Sequence, residues 1–322
     1  MLDVNVSIAI NHKYTKYAYI MLTSLFFHHK TMPKSVTVYV LQSDLTKEDQ
    51  ALLQQLAEQY DQIIFFLQVE IGDYADKLPT TKNWSLEMYY CLLLGELLPK
   101  EVTRVLYLDV DIIINKPLLD FYQMDMQGMH LAAADDPIIQ KNFSIQQQQI
   151  FADFSEPVRY FNSGVILMNL EMIREHYTFA DYCQVAKQFS YQLSNPDQDL
   201  LNYVHAGNVY YIDNSRYNVF SQIAEMEGGY EQLKEQAAIV HYAGRKPWSY
   251  NGVHYGVERL WWDYAKLSPF YYELMEAVFL AGLQDDAYAS IMTLVKENNQ
   301  LKQGLQEATE LCKKLFSMVN GL

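Results

Sequence analysis

The sequence of 322 residues has few cysteines and no long apolar run. Its three cysteines, Cys91, Cys183 and Cys312, form neither a CxxC pair nor a metal-binding spacing, so we expect a reducing compartment and no disulfide framework. No apolar stretch approaches the roughly 20 residues that cross a bilayer, and the N-terminus lacks a basic segment and a cleavage site. We therefore expect a cytoplasmic protein without a transmembrane segment, with peripheral attachment to the inner face of the membrane left open.

Basic residues are also scarce, because 24 Lys and Arg stand against 39 Asp and Glu, for a net charge of -15. Nucleic acids and anionic membranes attract basic surfaces, so nucleic-acid binding is not expected. No GxGxxG motif follows the first β-rich run, which argues against a dinucleotide-dependent dehydrogenase. Because 50% of the residues are hydrophobic, the chain is expected to fold around a sizeable core.

What the sequence does contain is an alternation of β-rich runs and segments of helical periodicity. The strands are predicted at residues 4–10, 36–41, 63–67 and 102–108, and the helices at 16–29, 46–60 and 85–98. Such alternation predicts an α/β domain with a mostly parallel sheet between helices, over residues 1–268. Ligands of such sheets bind at the carboxyl ends of the strands.

The pattern loosens after residue 137 and then resumes. A glutamine run, Gln146–Gln149, and the following Pro157 predict a mobile flap or an acceptor-side loop. A strand at 160–169 and a single helix at about 171–191 follow, and later strands are predicted at 209–212 and 238–242.

Two carboxylates follow the fourth predicted strand. Asp109 and Asp111 stand one residue apart after the apolar run that ends at Leu108. Acids at this spacing can turn toward one hard cation, which prefers oxygen ligands. Burying the pair without a counter-charge would be costly, so the pattern predicts a divalent metal site.

A second polar set follows the last predicted strand. His241 ends an apolar run, Gly244 allows close approach of the backbone to a ligand, and Lys246 adds a positive charge. A lone histidine is more often structural, but this combination suits a metal diphosphate.

Two further motifs are weak when each is taken alone. Asn162, within Tyr160–Val165, could be a turn residue, and Asp197, within Asp197–Asn202, could be an ordinary helix cap. Their significance comes from their order along the chain. That order is the opening strand with Asn11-His12-Lys13-Tyr14, the 85–98 segment, Leu106–Asp111, Tyr160–Val165, Asp197–Asn202 and His241–Trp248.

This series resembles the retaining glycosyltransferases of family 8, from about Val4 to Tyr264. The resemblance implies a GT-A fold and a UDP-sugar donor. It also implies a Mn²⁺ ion, with Mg²⁺ as the alternative, held by Asp109, Asp111 and His241. Gly244 and Lys246 would contact the diphosphate. The other residues that the resemblance assigns are Ala9, Asn11, Tyr14, Val110 and Asn162 for the donor, and Asp135, Asp197 and Gln198 for sugar transfer and the acceptor side.

The function implied is transfer of a hexose, galactose before glucose, to a glycan of lipopolysaccharide or of a surface glycoprotein. Two routes would retain the configuration of the transferred sugar. In the first, Gln198 or Asp199 acts as a nucleophile. In the second, which is favoured, the acceptor attacks from the front face and Asp197 positions the sugar. Cys91 stands where the family usually has Arg, and Asn11 where it usually has an acid. The alternatives are a relative that binds a UDP-sugar or glycan without turnover, and an interaction protein that docks into a glycosylation complex.

The segment 269–322 is predicted to be a separate helical subdomain with a heptad repeat. Its a positions are Ile291, Asn298, Leu305, Cys312 and Val319, and its d positions are Leu294, Leu301, Ala308, Leu315 and Leu322. A polar Asn at an a position often fixes the register of two-stranded coils. The helix is expected to pack back in a hairpin or to bind a second copy or another partner, with the hairpin slightly favoured.

Overall fold

The computed structural model describes residues 4–30, 36–74, 77–80, 85–155, 157–250, 255–284 and 287–320. The chain forms two compact units. The first comprises Met1–Pro247 with Tyr255–Tyr271, and the second comprises Trp248–His254 with Tyr272–Leu322. The domain boundary predicted at residue 268 stays a prediction.

Ten strands form two sheets in the described part of the chain. They are β1 (Val4–Ala9), β2 (Val36–Gln42), β3 (Ile63–Gln68), β4 (Arg104–Leu108), β5 (Ile112–Ile114), β6 (Leu131–Asp135), β7 (Phe161–Asn169), β8 (Val209–Tyr211), β9 (Val219–Phe220) and β10 (Ile239–His241). The large sheet has the order β3-β2-β1-β4-β7-β6-β8, and the small sheet has the order β5-β10-β9. In the large sheet only β7 is antiparallel to its neighbours, so the predicted mostly parallel sheet is confirmed.

Helices flank the large sheet and follow it in the chain. They are α1 (Thr15–His29), α2 (Lys47–Gln59), α3 (Leu94–Leu97), α4 (Leu119–Tyr122), α5 (Ile145–Ile150), α6 (Leu170–His176), α7 (Phe179–Gln188), α8 (Pro196–Val204), α9 (Ser221–Glu227), α10 (Gly229–Gln236), α11 (Arg259–Ala265), α12 (Tyr271–Gln284) and α13 (Ala287–Asn320). Short 3₁₀ helices lie at His12–Tyr14, Gly72–Tyr74, Leu86–Leu93, Ile139–Lys141 and Gly256–Glu258. None of the described helices is long and apolar enough to span a bilayer.

The inner strands β2, β4 and β7 of the large sheet are buried on both faces. Successive side chains of a strand point to opposite sides, and in β4 Leu106 and Leu108 enter one apolar cluster whereas Val105 and Tyr107 enter another. Burial on both faces explains why the central strands are continuous apolar runs in the sequence.

Three predicted segments differ from the structure. The helix predicted at 171–191 is two helices, because Thr178 begins α7 with a capping box that uses Asp181. The helix predicted at 85–98 is mostly a 3₁₀ helix, which passes into α3 only at Leu94.

The third difference lies in the glutamine run that was predicted to be a loop. The run forms α5, with Ser144 and Gln147 as its capping box. The Gln147 side chain is buried and donates to Asp199 at 3.0 Å and to Tyr160 at 3.3 Å. These long-range contacts, rather than local propensity, hold the segment in place.

Side chains 295–313 of α13 are all exposed, and the choice between a hairpin and an interface for this helix stays a prediction. Leu322, a predicted d position, lies outside the described residues.

Candidate active site

Two strand ends bring the predicted metal ligands together. Asp109 follows β4, and His241 ends β10, where it pairs with Ile112 directly after Asp111. His241 Nε2 lies 3.2 Å from Asp111 Oδ1 and 3.9 Å from Asp109 Oδ2. One ligand atom from each of the three residues lies within 4.8 Å of the others. Two carboxylates and an imidazole in this arrangement fit a divalent cation.

The orientation of His241 is set by two asparagines. Asn218 Nδ2 donates to Asn162 Oδ1 at 2.9 Å, which leaves Asn218 Oδ1 facing His241 Nδ1 at 2.7 Å. An amide oxygen only accepts, so Nδ1 carries a proton and Nε2 is the nitrogen that faces the carboxylates. Metal-binding histidines are usually oriented by a hydrogen bond of this kind.

The charges at the site lie close together, with Asp111 and His241 buried and Asp109 and Lys246 partly exposed. Burial and the neighbouring Asp111 carboxylate raise the pKa of Asp109, although His241 and Lys246 oppose the shift. Burial also acts to raise the pKa of Asp111, but the Lys246 ammonium, which forms an ion pair with it, and His241 outweigh burial and lower that pKa. A divalent cation would neutralise the carboxylate pair that Lys246 neutralises only in part.

Gly164 on β7 leaves room for these ligands. A Cβ atom at this position would lie 2.4 Å from His241 Cε1 and 2.7 Å from Asp109 Oδ2. Real Cβ atoms do not approach side-chain atoms so closely, so any other residue would displace both ligands.

A network of amides and carboxylates lies beside the metal ligands. Gln198 Oε1 accepts from Asn162 Nδ2 at 3.0 Å and from the Ser163 backbone N–H at 2.9 Å. Gln198 Nε2 donates to Asp136 Oδ2 at 3.2 Å, and Asn162 Nδ2 contacts the same oxygen at 3.3 Å. The structure thus joins two predicted site residues, Asn162 and Gln198, by a direct hydrogen bond and by their shared contact to Asp136.

Asp197, at the start of α8, faces the same space. Its Oδ2 accepts from the Ser163 hydroxyl at 2.9 Å. Burial and the Asp109 carboxylate raise the pKa of Asp197 to about 7. A carboxyl group with this pKa can exist in either protonation state near neutral pH.

Asp135, predicted for the sugar and acceptor side, forms an ion pair with Arg159, and its role in transfer stays a prediction. Its two carboxylate oxygens accept from Arg159 Nε and Nη2, each at 2.6 Å, and the guanidinium lies 3.8 Å from the Tyr211 ring centroid. The pairing of β6 with β7 shifts register between Ala133 and Asp135, and the neighbour, Asp136, makes the contacts to Asn162 and Gln198.

Asp199, the other candidate nucleophile, is engaged in holding α8. It is fully buried and accepts from Tyr160 Oη at 2.5 Å, from Gln147, and from the backbone N–H groups of Ser194 and Asn195. With four donors on its two oxygens, the carboxylate has a structural role.

The first loop contains an unsatisfied acceptor. Asn11 Nδ2 contacts Ser85 Oγ at 3.4 Å, but the buried Asn11 Oδ1 has no hydrogen-bond partner among the described residues. Of the other residues assigned to the donor, Ala9 ends β1, Val110 is buried, and Tyr14 is 37% exposed beside Tyr17.

The loop after β10 has the conformation expected of a glycine. Gly244 has a φ of 81°, which L-residues rarely adopt. Lys246, two residues later, donates to the Tyr242 carbonyl at 3.2 Å in addition to its ion pair with Asp111. The turn therefore brings the ammonium group back over the carboxylates.

Comparison with known proteins identifies the fold and the family. The model of the family described as glycosyl transferase family 8 matches residues 5–252. The chain belongs to glycosyl transferase family 8. It is therefore a glycosyltransferase, and the resemblance found from the motifs is confirmed.

Individual members of family 8 are similar over most of the chain. A lipopolysaccharide 1,2-glucosyltransferase of Escherichia coli is 28% identical over 256 residues, 76% of this chain and 73% of the relative. A lipopolysaccharide 1,3-galactosyltransferase of Salmonella typhimurium is 24% identical over 231 residues, 69% of this chain and 66% of the relative.

A solved structure shares the fold. The crystal structure of galactosyltransferase LgtC in complex with donor and acceptor sugar analogs has a TM-score of 0.68 at 24% identity. The similarity covers 80% of this chain and 94% of LgtC. The predicted GT-A fold is confirmed.

Cys91 lies near the acids of the candidate site. The thiol is buried, with Sγ 3.4 Å from the Met88 carbonyl, and burial together with the Asp197 and Asp109 carboxylates raises its pKa. The neutral thiol therefore adds no positive charge to balance these acids.

Sequence reasoning missed three residues of this family 8 site. Gly164 stands in the sequence only as one member of the Tyr160–Val165 motif, the resemblance favours Asp135 over Asp136, and no motif contains Asn218. The only available signal for Asp136 was the Asp135-Asp136 pair itself. Asn218 has a φ of 69° and no motif around it, so no pattern in one sequence would have revealed it.

Proposed function

We propose that this chain transfers a hexose from a UDP-sugar to a glycan acceptor with retention of configuration, in a reaction that requires Mn²⁺. The observation that carries the proposal is the cluster of Asp109, Asp111 and His241 beneath Lys246, beside the network of Asp197 and Gln198. Relatives named as glucosyl- and galactosyltransferases both match the chain. Galactose is our preferred donor sugar and glucose is the next.

The uridine would bind against the first loop. The unsatisfied Asn11 Oδ1 is an acceptor, and the N3–H group of uracil is a donor that would satisfy it. A buried acceptor without a partner costs free energy in the free protein, so pairing on binding would contribute to donor affinity.

Asp109, Asp111 and His241 would hold the metal ion, which supplies Lewis-acid stabilisation of the leaving diphosphate when it is bound. Lys246 would move from Asp111 toward the diphosphate oxygens, as its long side chain allows, and would stabilise their developing charge. Gly244 would present backbone to the same group without steric conflict.

Asp197, Gln198 and Asn162 would bind the hydroxyl groups of the transferred sugar. Both polar atoms of the Gln198 amide are already hydrogen-bonded to protein, and a neutral amide is a weak nucleophile. Asp199 is occupied by four donors. Front-face attack is therefore favoured, with a diphosphate oxygen accepting the proton of the acceptor hydroxyl and Asp197 positioning the sugar.

The test measures UDP release from UDP-galactose and from UDP-glucose, with Mn²⁺ or with EDTA. We expect release from one donor that requires Mn²⁺ and is lost in Asp109→Ala. The matched control is Asp120→Ala, because Asp120 is exposed on α4 and should leave release unchanged. Release that persists in EDTA, or in Asp109→Ala, would exclude the proposed metal site.

A second candidate function is donor binding without turnover, and Cys91 is the observation that favours it. Without the usual guanidinium, the positive charge near the donor is reduced. This candidate predicts Mn²⁺-dependent UDP binding with no UDP release from either donor.

A further inference from the structure

The long helix α13 has two chemically different sides. Every large apolar side chain exposed on its described part lies at an a, d, e or g position of the heptad repeat. These residues are Val295, Leu301, Leu305 and Leu311, which are 46%, 75%, 69% and 58% exposed. The b, c and f positions from 296 to 313 are Lys, Glu, Asn or Gln without exception.

Part of the polar side of α13 is hydrogen-bonded within the helix. Gln303 Nε2 donates to Glu307 Oε1 at 3.0 Å, and Lys313 Nζ pairs with Glu310 at 2.8 Å. All four residues lie at b, c or f positions, on the side away from the apolar stripe. The apolar stripe is the side that gains most free energy from a partner, since its burial removes apolar surface from water.

We propose that α13 pairs with α13 of a second copy of this chain, as a parallel, in-register, two-stranded coiled coil. Leu301, Leu305, Ala308 and Cys312 would form the seam. From residue 295 to 313 the helix is about 28 Å long, and the heptad pattern continues in the sequence on both sides.

Asn298 and two charged residues favour this partner and this orientation. Asn298 occupies an a position, where it meets its own copy only when two helices are parallel and in register. In that arrangement Glu297 at g faces Lys302 at e of the second helix, and g-to-e pairs of opposite charge set partner choice. The helix thus complements itself in both polarity and charge.

An anionic membrane fits the same helix less well. Helices that lie on such membranes carry an excess of Lys and Arg on the polar face. The polar face of α13 instead mixes Lys296 and Lys313 with Glu307 and Glu310. Gly304 weakens the helix, but it stands at a g position and leaves the a and d seam intact.

The first test is the mass of the full chain in solution. We expect twice the chain mass of 37.6 kDa at micromolar concentration. Leu301→Lys combined with Leu305→Lys should weaken dimerisation by about a hundredfold or more, because each change removes a seam leucine from both helices. The matched control, Gln303→Lys with Gln306→Lys, places the same charges at f and b and should stay dimeric.

Cys312 gives a second test, which reports orientation. At an a position the two thiols would face each other, and added copper phenanthroline would remove two electrons and two protons to form one disulfide between the copies. Cys91 and Cys183 are buried whereas Cys312 is exposed, so Cys312→Ser should abolish the cross-link. In the double variant Cys312→Ser with Glu310→Cys, the thiol moves to an outer f position and should not cross-link.

Several outcomes would overturn the proposal. These are a single-chain mass at every concentration, a dimer unaffected by the leucine changes, or equal cross-linking through position 310. Binding of a monomer to anionic phosphatidylserine vesicles, lost in the same leucine variant, would assign the stripe to a membrane instead. UDP release by the leucine variant should match the unaltered chain, so the outcome is independent of the proposed catalytic function.

Discussion

At the scale of single residues, a relay of amides links the proposed sugar-binding residues to the proposed metal ligands. Asn162 contacts Gln198 on one side and Asn218 on the other, and Asn218 in turn orients His241. Each amide has its oxygen and nitrogen fixed by the next group. The tautomer of His241 therefore depends on residues that would not touch the cation themselves.

Gly164→Ala tests the packing around the metal ligands. The added methyl group would overlap His241 Cε1 and Asp109 Oδ2, so both ligands must move. Since displacement of a reacting group by about 1 Å can cost a hundredfold in rate, we expect UDP release to fall by roughly a hundredfold or more. Manganese affinity, measured by titration calorimetry in the presence of UDP, should fall as well.

Gly95→Ala is the matched control for this change. A Cβ at Gly95 would meet Ile173 Cγ2 at 3.4 Å, an ordinary contact, so release and metal affinity should be retained. Unchanged metal affinity in Gly164→Ala would show that the cation does not bind between Asp109 and His241.

The residues at strand ends were predictable, and those fixed by long-range contacts were not. Asp109, Asp111 and His241 follow apolar runs, and this position alone places side chains at the carboxyl edge of a sheet. Asp136 makes the contacts to Asn162 and Gln198 because the register between β6 and β7 shifts, and a register shift has no signature in a single strand. Asn218 reaches its role through a turn with positive φ.

At the scale of secondary-structure elements, local signals predicted α2 well and α5 not at all. Thr46 and Asp49 form the capping box that their spacing predicts. The helix α5 is short and rich in glutamine, and its buried Gln147 contacts Asp199, which lies 52 residues away in the sequence. Sequence patterns report local propensity, so an element held by such a contact is read as a loop.

Asp199 connects α5 and β7 to the start of α8, which carries Asp197 and Gln198. Asp199→Asn would turn one acceptor oxygen into a donor amide that faces other donors. We expect the free energy of unfolding to fall by about 2–4 kcal/mol, because buried donors would lose their acceptor. UDP release should also fall, since α8 would no longer hold Asp197 and Gln198 in place.

Tyr160→Phe gives a graded comparison with this change. It removes one of the four donors and leaves the carboxylate, so urea titration should show a loss of about 1 kcal/mol. The exposed Asp153→Asn should have no effect. If Asp199→Asn were as stable as the unaltered chain, the carboxylate would not be the connection that we describe.

At the scale of the whole molecule, the first unit buries several histidines in their neutral form. Burial lowers the pKa of His28 to about 4 and that of His205 to about 3, and it also lowers the pKa of His29 and His130. His28 and His29 end α1, His130 directly precedes β6, and His205 directly follows α8. Protonation in the unfolded state therefore links the stability of the unit to pH.

His205 offers the cleanest measurement of this linkage. It is fully buried, its Nε2 lies 2.8 Å from Tyr182 Oη, and its Nδ1 lies 3.3 Å from His130 Nδ1. The ordinary pKa of 6.5 falls to about 3 in the folded state because of burial and then His130. Between these values the unfolded chain binds one more proton than the folded chain, so stability falls as the pH falls below 6.5.

The expected loss of stability from His205 alone is about 2 kcal/mol at pH 5. This pH lies about 1.5 units below the pKa of the histidine in the unfolded chain, and each unit is worth about 1.4 kcal/mol. In His205→Gln the amide can still accept from Tyr182, but the proton linkage is removed. Urea titrations in EDTA at pH 7.5 and pH 5 should therefore show a drop that is smaller by about 2 kcal/mol in this variant. Lys187→Gln, at an exposed position on α7, is the control and should keep the full drop. Equal drops in His205→Gln and in the unaltered chain would mean that His205 is not held neutral by burial, and that the acid sensitivity arises elsewhere in the unit.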